Sequence, residues 1–170
     1  RQLGEEIDVS VPLYPNEHFY IITEPMKDLP KNLPVLRDYN ACLYLKEDAG
    51  KMLVGWFEKN AIGCPMSNIS HDFCFDEFPV NMDHIEPYLL ASMGTFPMIG
   101  EVGIRTFFNG PESFTNDNLH LMGPTPEIEN FYVACGMNSK GIAAAGGLGK
   151  IMADWIIDGY PSGEITETDV

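Results

Sequence analysis

The sequence contains few basic residues: 10 Lys and Arg against 25 Asp and Glu give its 170 residues a formal net charge of −15. This balance argues against nucleic acid or an anionic membrane surface as a partner, because both repel acidic proteins. No apolar run approaches the length of a membrane-spanning helix, and no secretory signal is visible. We therefore expect no nucleic-acid partner, no membrane insertion and a largely solvated acidic surface.

Cysteine is also scarce, and the 4 copies form no C-x-x-C pair. Cys64, His71 and Cys74 could supply part of a metal site, but a fourth ligand is not evident and the spacing matches no strong zinc pattern. We favour buried free thiols over metal ligands, and this cysteine usage indicates a reducing, cytoplasm-like compartment.

The sequence lacks the G-x-G-x-x-G fingerprint that follows the first strand of a dinucleotide-binding fold. It also begins at Arg1, in mid-pattern, rather than at Met. We expect it to be a piece of a longer polypeptide, so targeting signals could lie outside it.

The amino-terminal half has the pattern of an antiparallel sheet. Residues 18–23, HFYIIT, are rich in aromatic and β-branched residues and predict a strand. Residues 42–46 and 52–57 predict a hairpin in which Asp48 and Gly50 provide the turn. Residues 25–34 and 60–78 are predicted to be loops.

The next segment predicts a helix followed by a strand. Residues 82–96 carry apolar side chains near helical spacing, and residues 102–108 read as a strand ended by Asn109-Gly110-Pro111. Residues 116–126 are predicted to be a loop. The predicted apolar stripe of the helix consists of Ile85, Leu89, Leu90 and Met93.

Residues 130–157 carry the most informative pattern: a short apolar run stops at Gly136, and a glycine- and alanine-rich helix begins near Gly141. Such a turn directs unpaired N–H groups and the positive end of a helix dipole at one place. The pattern is typical of the closing half of a nucleotide-binding α/β unit. Gly146, Gly147 and Gly149 are explained either by tight helix packing on a sheet or by close approach to a ligand. One face is predicted to carry Ile142, Ala145, Leu148, Met152, Trp155 and Ile156, with Gly159 ending the helix.

Several segments, in this order, resemble the dimethylglycine and sarcosine dehydrogenase family of FAD-dependent amine oxidases built like D-amino-acid oxidase. The resemblance covers nearly the whole chain. The segments that carry it are VPLYPNEHFYIITEP, LPVLRDYNACLYLKEDAGKMLVGWFE, FFNGPESFTND, LMGPTPEIENFYVACGMNS and KGIAAAGGLGKIMADWIIDGYP.

The resemblance implies an α+β fold. A largely antiparallel substrate-domain sheet with flanking helices would be joined to the closing strand and helix of a Rossmann-like FAD-binding domain. Residues 1–15 and 109–160 would belong to the FAD-binding domain, residues 16–108 to the substrate-binding domain, and residues 161–170 to a linker toward a missing carboxy-terminal region.

The resemblance also implies site residues by position. His18 matches a family histidine near the flavin, and Tyr44 matches a tyrosine at the substrate amine, although each is also explained by packing in a strand. Lys140 could stabilise the reduced flavin or point into solvent, and Arg37 and Arg105 are both candidates for holding a substrate carboxylate. The implied cofactor-binding residues are Gly110, Phe114, Thr115, Gly136, Met137, Asn138, Ser139, Lys140, Gly141 and Ile142.

The implied activity is the oxidative demethylation of dimethylglycine, sarcosine or a related N-methyl amino acid by hydride transfer to FAD, with the fragment inactive alone. The alternative is a catalytically silent relative, similar to the regulatory subunit of pyruvate dehydrogenase phosphatase. Ala143 stands where simpler sarcosine oxidases carry an oxygen-activating lysine, which favours a protein acceptor such as electron-transfer flavoprotein. The resemblance further implies tetrahydrofolate in a missing carboxy-terminal region, and a location in the bacterial cytoplasm or the mitochondrial matrix.

Overall fold

The computed structural model describes residues 1–162, so most of the predicted linker at residues 161–170 lies outside the described residues. Short 3-10 turns occur at Met66–Asn68 and Pro97–Glu101. The helices and strands are α1 (Gln2–Glu5), β1 (Tyr14–Thr23), β2 (Leu36–Asp38), β3 (Leu43–Asp48), β4 (Lys51–Trp56), α2 (Met82–Thr95), β5 (Ile104–Phe114), β6 (Leu121–Pro124), β7 (Tyr132–Cys135) and α3 (Gly141–Asp158).

The chain forms two compact units. The sheet unit contains Glu17–Gly63 and Ser67–Pro111, and the terminal unit contains Arg1–Asn16, Cys64–Met66 and the described residues from Glu112 onward. The assignment of these units to substrate and to cofactor stays a prediction.

The main sheet has five strands in the order β2-β3-β4-β1-β5. The pairs β2–β3, β3–β4 and β4–β1 are antiparallel, as the short connections between them predict. Gly55 of β4 lies opposite Tyr44 on one side and Tyr20 on the other, and Tyr44 in turn lies opposite Arg37. The predicted antiparallel α+β architecture is confirmed.

One face of this sheet forms the core of the sheet unit. Alternate residues of β1, β3 and β4 are buried there, and α2 packs on them through Ile85 and Leu89. Each such side chain stabilises the fold by about 1.5–3 kcal/mol through burial of apolar surface. The buried strand residues are Phe19, Ile21, Leu43, Leu45, Met52, Val54 and Trp56.

A buried hydrogen bond joins the helix to the sheet. Trp56 Nε1–H donates to Ser92 Oγ at 2.7 Å, and the Ser92 hydroxyl donates to the Tyr88 carbonyl at 2.8 Å. These two linked hydrogen bonds satisfy polar groups whose burial would otherwise destabilise the fold.

Because strand residues alternate between faces, the neighbours of the core residues point to the opposite side of the sheet.

Helix α2 agrees with the predicted helix except in its apolar stripe. The Asn81 side chain accepts a hydrogen bond from the His84 N–H and caps the first turn, and the helix runs on through Pro87. Ile85 and Leu89 are buried, but Leu90 is exposed and Ser92 takes the buried position instead. The prediction for Leu90 was therefore wrong.

The hairpin between β3 and β4 is tighter than predicted. Asp48 pairs with Lys51 as the last rung of the ladder, so only Ala49 and Gly50 form the turn. Both have positive φ, 50° and 79° respectively, as a two-residue hairpin of the I′ kind requires. The prediction that Asp48 lies in the turn is thus corrected.

Strand β5 does not stop at Asn109-Gly110-Pro111, as the sequence pattern predicts, but continues to Phe114. β5 lies at the edge of the sheet, where the missing N–H of a proline can be tolerated. Asn109 is buried and donates through Nδ2 to Glu17 Oε2 at 2.7 Å and to the Pro79 carbonyl at 3.3 Å. These bonds hold a residue in the strand that local propensity assigns to a turn.

In the terminal unit, β6 pairs antiparallel with β7. Residues 116–126 are therefore not a continuous loop, because Leu121–Pro124 gains a backbone partner that appears only in the folded chain. A small core forms around Val9, Val11 and Leu13, with Phe131 and Val133 packed against it.

Helix α3 begins at Gly141 and ends at Gly159, whose φ of 80° and whose N–H bond to the Trp155 carbonyl form the expected cap. Of the predicted apolar face only Trp155 is buried among the described residues, and Ile142 and Ile156 are exposed. A Cβ added at Gly146, Gly147 or Gly149 would meet no described atom within 4 Å, so the close approach predicted there is not made by residues 1–162.

No helix within residues 1–162 combines the length and apolar character that crossing a membrane requires.

Candidate functional site

The face of the sheet opposite the core carries a polar pair among aromatic rings. His18 Nε2 and Tyr44 Oη lie 3.2 Å apart, and their rings are nearly parallel, with centroids 6.2 Å apart. Which of the two atoms donates depends on the tautomer of His18. Both predicted catalytic side chains are therefore brought together, although they are 26 residues apart in sequence.

Phe57 packs against both members of this pair. Its ring centroid lies 5.1 Å from that of His18 and 5.2 Å from that of Tyr44. Contacts of this kind favour tilted, edge-on arrangements and restrict the motion of the rings they join. Phe57 was missed by the sequence analysis, since nothing local distinguishes it from a core phenylalanine.

Gly55 makes room for the Tyr44 ring. A Cβ at position 55 would lie 2.1 Å from Tyr44 Cζ and 2.2 Å from its Oη, so no larger residue fits while the ring stays in place. The sequence analysis missed Gly55, although an isolated glycine within a strand pattern is a known signal of close approach. Gly55 thus fixes where the Tyr44 hydroxyl can lie.

Arg37 extends the same row of residues across the sheet. It lies opposite Tyr44 in the ladder, and its guanidinium carbon lies 4.4 Å from the centroid of the Phe57 ring and 4.7 Å from that of Tyr39. Both distances are within the range of cation–π attraction. The other predicted candidate, Arg105, is exposed and lies 3.9 Å from the Glu24 carboxylate.

Tyr20 continues the row on the other side of Gly55. Its ring stacks on Phe108 with centroids 4.7 Å apart. Burial, and then the negative charge of Glu77, raise the pKa of Tyr20, so that its phenol stays neutral. We call the set His18, Tyr20, Arg37, Tyr44, Gly55 and Phe57 the aromatic face.

In the terminal unit, the turn between β7 and α3 depends on Gly136. Its φ is 64°, and an added Cβ would lie 2.6 Å from Thr115 Cγ2 and 2.9 Å from Leu13 Cδ2. Both the backbone conformation and the lack of space therefore require glycine. Asn138 and Ser139 follow with φ of 49° and 60°.

The Asn138 side chain is buried and organises this turn. Its Nδ2 donates to the Gly136 carbonyl at 2.6 Å, and its Oδ1 accepts from the Thr115 N–H at 3.0 Å. The Thr115 hydroxyl also donates to the Leu119 carbonyl at 2.6 Å. These predicted cofactor-binding residues are brought together, but their side-chain bonds serve to hold the backbone.

The amino terminus of α3 has no side-chain cap. Lys140 occupies the capping position without a side-chain bond to the helix, and the first intrahelical bond is donated by the Ala144 N–H to the Lys140 carbonyl at 3.0 Å. The N–H groups of Gly141, Ile142 and Ala143 precede that bond and are available to an acceptor. They fit an anionic or carbonyl-bearing edge of a ligand, because the helix dipole is positive there.

Two side chains beside this terminus are tied to neighbouring loops. The Lys140 ammonium donates to the Asn118 carbonyl at 3.0 Å, and the Ser139 hydroxyl bonds to the Glu112 carboxylate. Lys140 is exposed but its ammonium is held by this contact. Met137 is partly buried, with its side chain close to Gly141.

The remaining predicted cofactor residues lie along β5. Gly110 is buried within the sheet unit, whereas Phe114 is the last residue of the strand and belongs to the terminal unit. Whether these residues contact a cofactor stays a prediction.

The cysteines provide no metal centre in the part of the chain that the structure describes. No group of three or more His, Cys, Asp or Glu side chains there could hold a metal ion. Cys64 is buried and Cys74 is exposed, so the expectation of buried thiols is wrong for Cys74. Burial raises the pKa of the half-buried Cys135 thiol.

Residues 1–155 match the family described as DAO, FAD dependent oxidoreductase. The chain belongs to this family of FAD-dependent oxidoreductases. The resemblance noted in the sequence is thereby confirmed.

Curated relatives match along almost the whole chain. A 4-methylaminobutanoate oxidase (formaldehyde-forming) from Paenarthrobacter nicotinovorans is 36% identical over 100% of this chain and 20% of its own length. Mitochondrial sarcosine dehydrogenase of Mus musculus is 33% identical over 99% of this chain and 18% of its own. The mitochondrial pyruvate dehydrogenase phosphatase regulatory subunit of Mus musculus is 34% identical over 99% and 19%. The chain thus spans about a fifth of the length of these relatives.

Among solved structures, L-proline dehydrogenase from P. horikoshii matches with a TM-score of 0.75 at 20% identity, over 96% of this chain and 41% of that one. At this identity the match establishes the fold alone.

Proposed function

We propose that the chain is part of an FAD-dependent dehydrogenase that oxidatively demethylates an N-methyl amine such as sarcosine, dimethylglycine or a related N-methyl amino acid. The observation that carries the proposal is the 3.2 Å pairing of His18 Nε2 with Tyr44 Oη among the rings of the aromatic face. Relatives named for oxidation of such amines, at 33–36% identity, support it.

When bound, FAD supplies the acceptor for the hydride that leaves the methyl carbon of the amine. Gly141, Ile142 and Ala143 lie at the uncapped start of α3, and their backbone N–H groups fit the binding of a negatively charged or carbonyl-bearing edge of this cofactor. Their fixed dipoles stabilise negative charge on an acceptor without reorganisation. Gly136 and Asn138 hold the backbone that presents these donors.

His18 and Tyr44 have the task of binding the amine and managing its proton. Loss of hydride from the methyl carbon requires a free nitrogen lone pair, so an ammonium substrate must first give up its proton. The Tyr44 hydroxyl and His18 Nε2 lie within hydrogen-bonding distance of each other, and together they can orient the nitrogen and accept that proton. Phe57 restricts the motion of both rings through its contacts with them.

A second candidate function is a catalytically silent regulatory role, which the similarity to the phosphatase regulatory subunit favours. Such a protein would keep the fold and the cofactor-binding turn without turning over an amine. The presence of His18, Tyr44 and Gly55 together favours the enzyme, because Gly55 serves the placement of the Tyr44 hydroxyl.

The electron acceptor that we propose is a protein such as electron-transfer flavoprotein, since the resemblance matches Ala143 to the position at which simpler sarcosine oxidases carry an oxygen-activating lysine. Tetrahydrofolate, held by a region outside this chain, would collect the one-carbon unit. The cytoplasm of a bacterium or the mitochondrial matrix suits such a reaction.

The test is rapid-mixing reduction of the flavin in the full-length holoprotein by sarcosine, dimethylglycine or 4-methylaminobutanoate. Tyr44→Phe removes the hydroxyl with little change in packing and should slow flavin reduction by about ten-fold, or about 1.4 kcal/mol. Tyr160→Phe, a change at an exposed tyrosine, is the matched control and should leave the rate unchanged.

An unchanged rate in Tyr44→Phe would remove Tyr44 from the reaction. An FAD-loaded wild-type protein that none of these amines reduces would favour the regulatory role instead.

A further inference from the structure

A buried acid–base pair lies on the core side of the sheet, and the proposed reaction does not use it. The side chain of Glu58 is 2% exposed and that of His84 is 17% exposed, and Glu58 Oε1 lies 3.5 Å from His84 Nε2. Neither atom has a hydrogen-bond partner among the described residues. The pair therefore carries the cost of burying two polar atoms, which their mutual attraction offsets only in part.

A buried pair of this kind contributes little to stability. Replacing a buried ion pair with apolar side chains of similar volume is often neutral or stabilising. What a polar contact adds is direction, because it is favourable over a narrow range of distance and orientation, whereas apolar burial is non-directional. The contact is thus better suited to fixing a position than to holding the fold together.

His84 is held by a rigid support. It lies in the first turn of α2, where its N–H donates to Asn81 Oδ1 at 3.2 Å. Its ring packs edge-on against Phe19, with centroids 5.5 Å apart, and lies tilted against Tyr88 with centroids 5.8 Å apart. The imidazole is therefore restrained both by the capped helix and by the core.

Glu58 directly follows the residue that packs against the amine site. The Phe57 N–H donates to the Cys42 carbonyl at 2.7 Å, so the pairing of β3 with β4 continues for one residue past the end of β4. Consecutive side chains of an extended chain point to opposite faces. Glu58 is accordingly buried on the core side, whereas the Phe57 ring lies on the aromatic face. Its centroid is 5.1 Å from that of His18 and 5.2 Å from that of Tyr44.

Beyond Glu58 the chain leaves the sheet. Lys59 and Asn60 are exposed in a turn. The contact with His84 therefore restrains the chain close to the point where strand pairing stops. That restraint fixes the backbone from which the Phe57 ring projects.

We propose that Glu58 and His84 position the amine site from the opposite side of the sheet, by fixing the chain from which Phe57 projects. The inference rests on the proposed amine-oxidising function and adds two positioning residues to it. Their contact keeps the Phe57 ring where it restricts the rings of His18 and Tyr44. A displacement of about 1 Å in such a support can slow a reaction by about 100-fold.

The experiment separates positioning from stability in the full-length holoprotein. In the pair variant, which combines Glu58→Leu with His84→Leu, apolar side chains of similar volume replace the contact. Rapid mixing with saturating sarcosine or dimethylglycine gives the limiting rate of flavin reduction, and thermal unfolding gives the stability. The comparison proteins are Glu58→Gln, which keeps the side-chain length and a hydrogen-bonding group, Phe57→Leu, and Leu89→Ala, a change in the core that α2 forms with the sheet.

The pair variant should remain as stable as wild type, yet its limiting rate should fall by about ten-fold. In a Phe57→Leu background the same replacement should change the rate by less than about two-fold, because the ring on which the contact acts is absent. Glu58→Gln should keep the rate within about three-fold of wild type. Leu89→Ala should lower the unfolding temperature but leave the limiting rate within about two-fold of wild type.

If the flavin of the pair variant is reduced at the wild-type rate, the positioning role is refuted while the proposed function stands. The role is also refuted if the pair variant loses stability or fails to fold, since the pair would then serve the fold itself. A loss of rate that persists in the Phe57→Leu background, or an equal loss in Glu58→Gln or Leu89→Ala, would likewise overturn it. If wild type is reduced by no N-methyl amine, the proposed function fails and this inference fails with it.

Discussion

Substitution of Gly55 by alanine offers a demanding test of how the aromatic face is built. The added Cβ would lie 2.1 Å from Tyr44 Cζ, whereas ordinary carbon contacts are at about 3.5–4.0 Å. The ring must therefore move by about 1.4 Å or more to relieve the overlap. Because Tyr44 lies directly opposite Gly55 in the ladder, β3 cannot yield without breaking its register.

A displacement of that size separates Tyr44 from His18. Their present distance of 3.2 Å is already at the outer end of the range for hydrogen bonds, so the bond would be lost. We expect flavin reduction in the full-length holoprotein to slow by about ten-fold or more, as in Tyr44→Phe. Overpacking should also reduce the free energy of unfolding by about 1–3 kcal/mol.

A double-mutant cycle separates this mechanism from general damage to the sheet. In a Tyr44→Ala background the clashing ring is absent, so Gly55→Ala should change the free energy of unfolding by less than about 0.5 kcal/mol. Gly94→Ala is the matched control, since Gly94 lies in α2 with open space around it and helix propensity favours alanine there.

The reasoning is refuted if the flavin of the Gly55→Ala variant is reduced by substrate at the wild-type rate. It is equally refuted if the substitution destabilises the Tyr44→Ala protein as much as it destabilises wild type, since the cost would then not come from the ring.

Two further predictions concern the terminal unit. Gly159→Ala, at a glycine with positive φ and open space, should lower the free energy of unfolding by about 1 kcal/mol, measured by denaturant titration. Gly136→Ala should lower it by about 1–3 kcal/mol more than Gly159→Ala does, because the added methyl group would also overlap Thr115 and Leu13. An equal loss in both variants would refute the steric argument. Burial raises the pKa of Cys135, so the folded state keeps a proton that the unfolded state loses, and the free energy of unfolding should fall as the pH rises through the ordinary thiol pKa. Subtracting the pH profile of Cys135→Ala isolates this contribution, and a difference that stays flat or rises would contradict it.

The local patterns of the sequence were sufficient for the strands and helices whose signals lie within a few residues. The aromatic and β-branched residues of HFYIIT mark β1, and the near-helical spacing of Ile85 and Leu89 marks α2. These features depend on backbone preference and on the periodicity of apolar side chains, and both can be recognised without knowledge of the tertiary contacts.

The errors fall where strand pairing or exposure in the folded chain overrides local preference. β5 continues through Pro111 because it lies at the edge of the sheet, and β6 exists because β7 pairs with it. The exposure of Ile142 on α3 was also unexpected, since periodicity alone does not say which side of a helix is covered.

By itself the sequence determined the elements of the candidate site: a strand with His18, a hairpin with Tyr44, and a glycine turn before a final helix. Only the tertiary structure decided that Arg37, Tyr44, Gly55 and Tyr20 form one row, with His18 and Phe57 beside it on the same face. The physical reason is strand register, because backbone pairing sets which side chains are neighbours, and that pairing is a property of the folded chain.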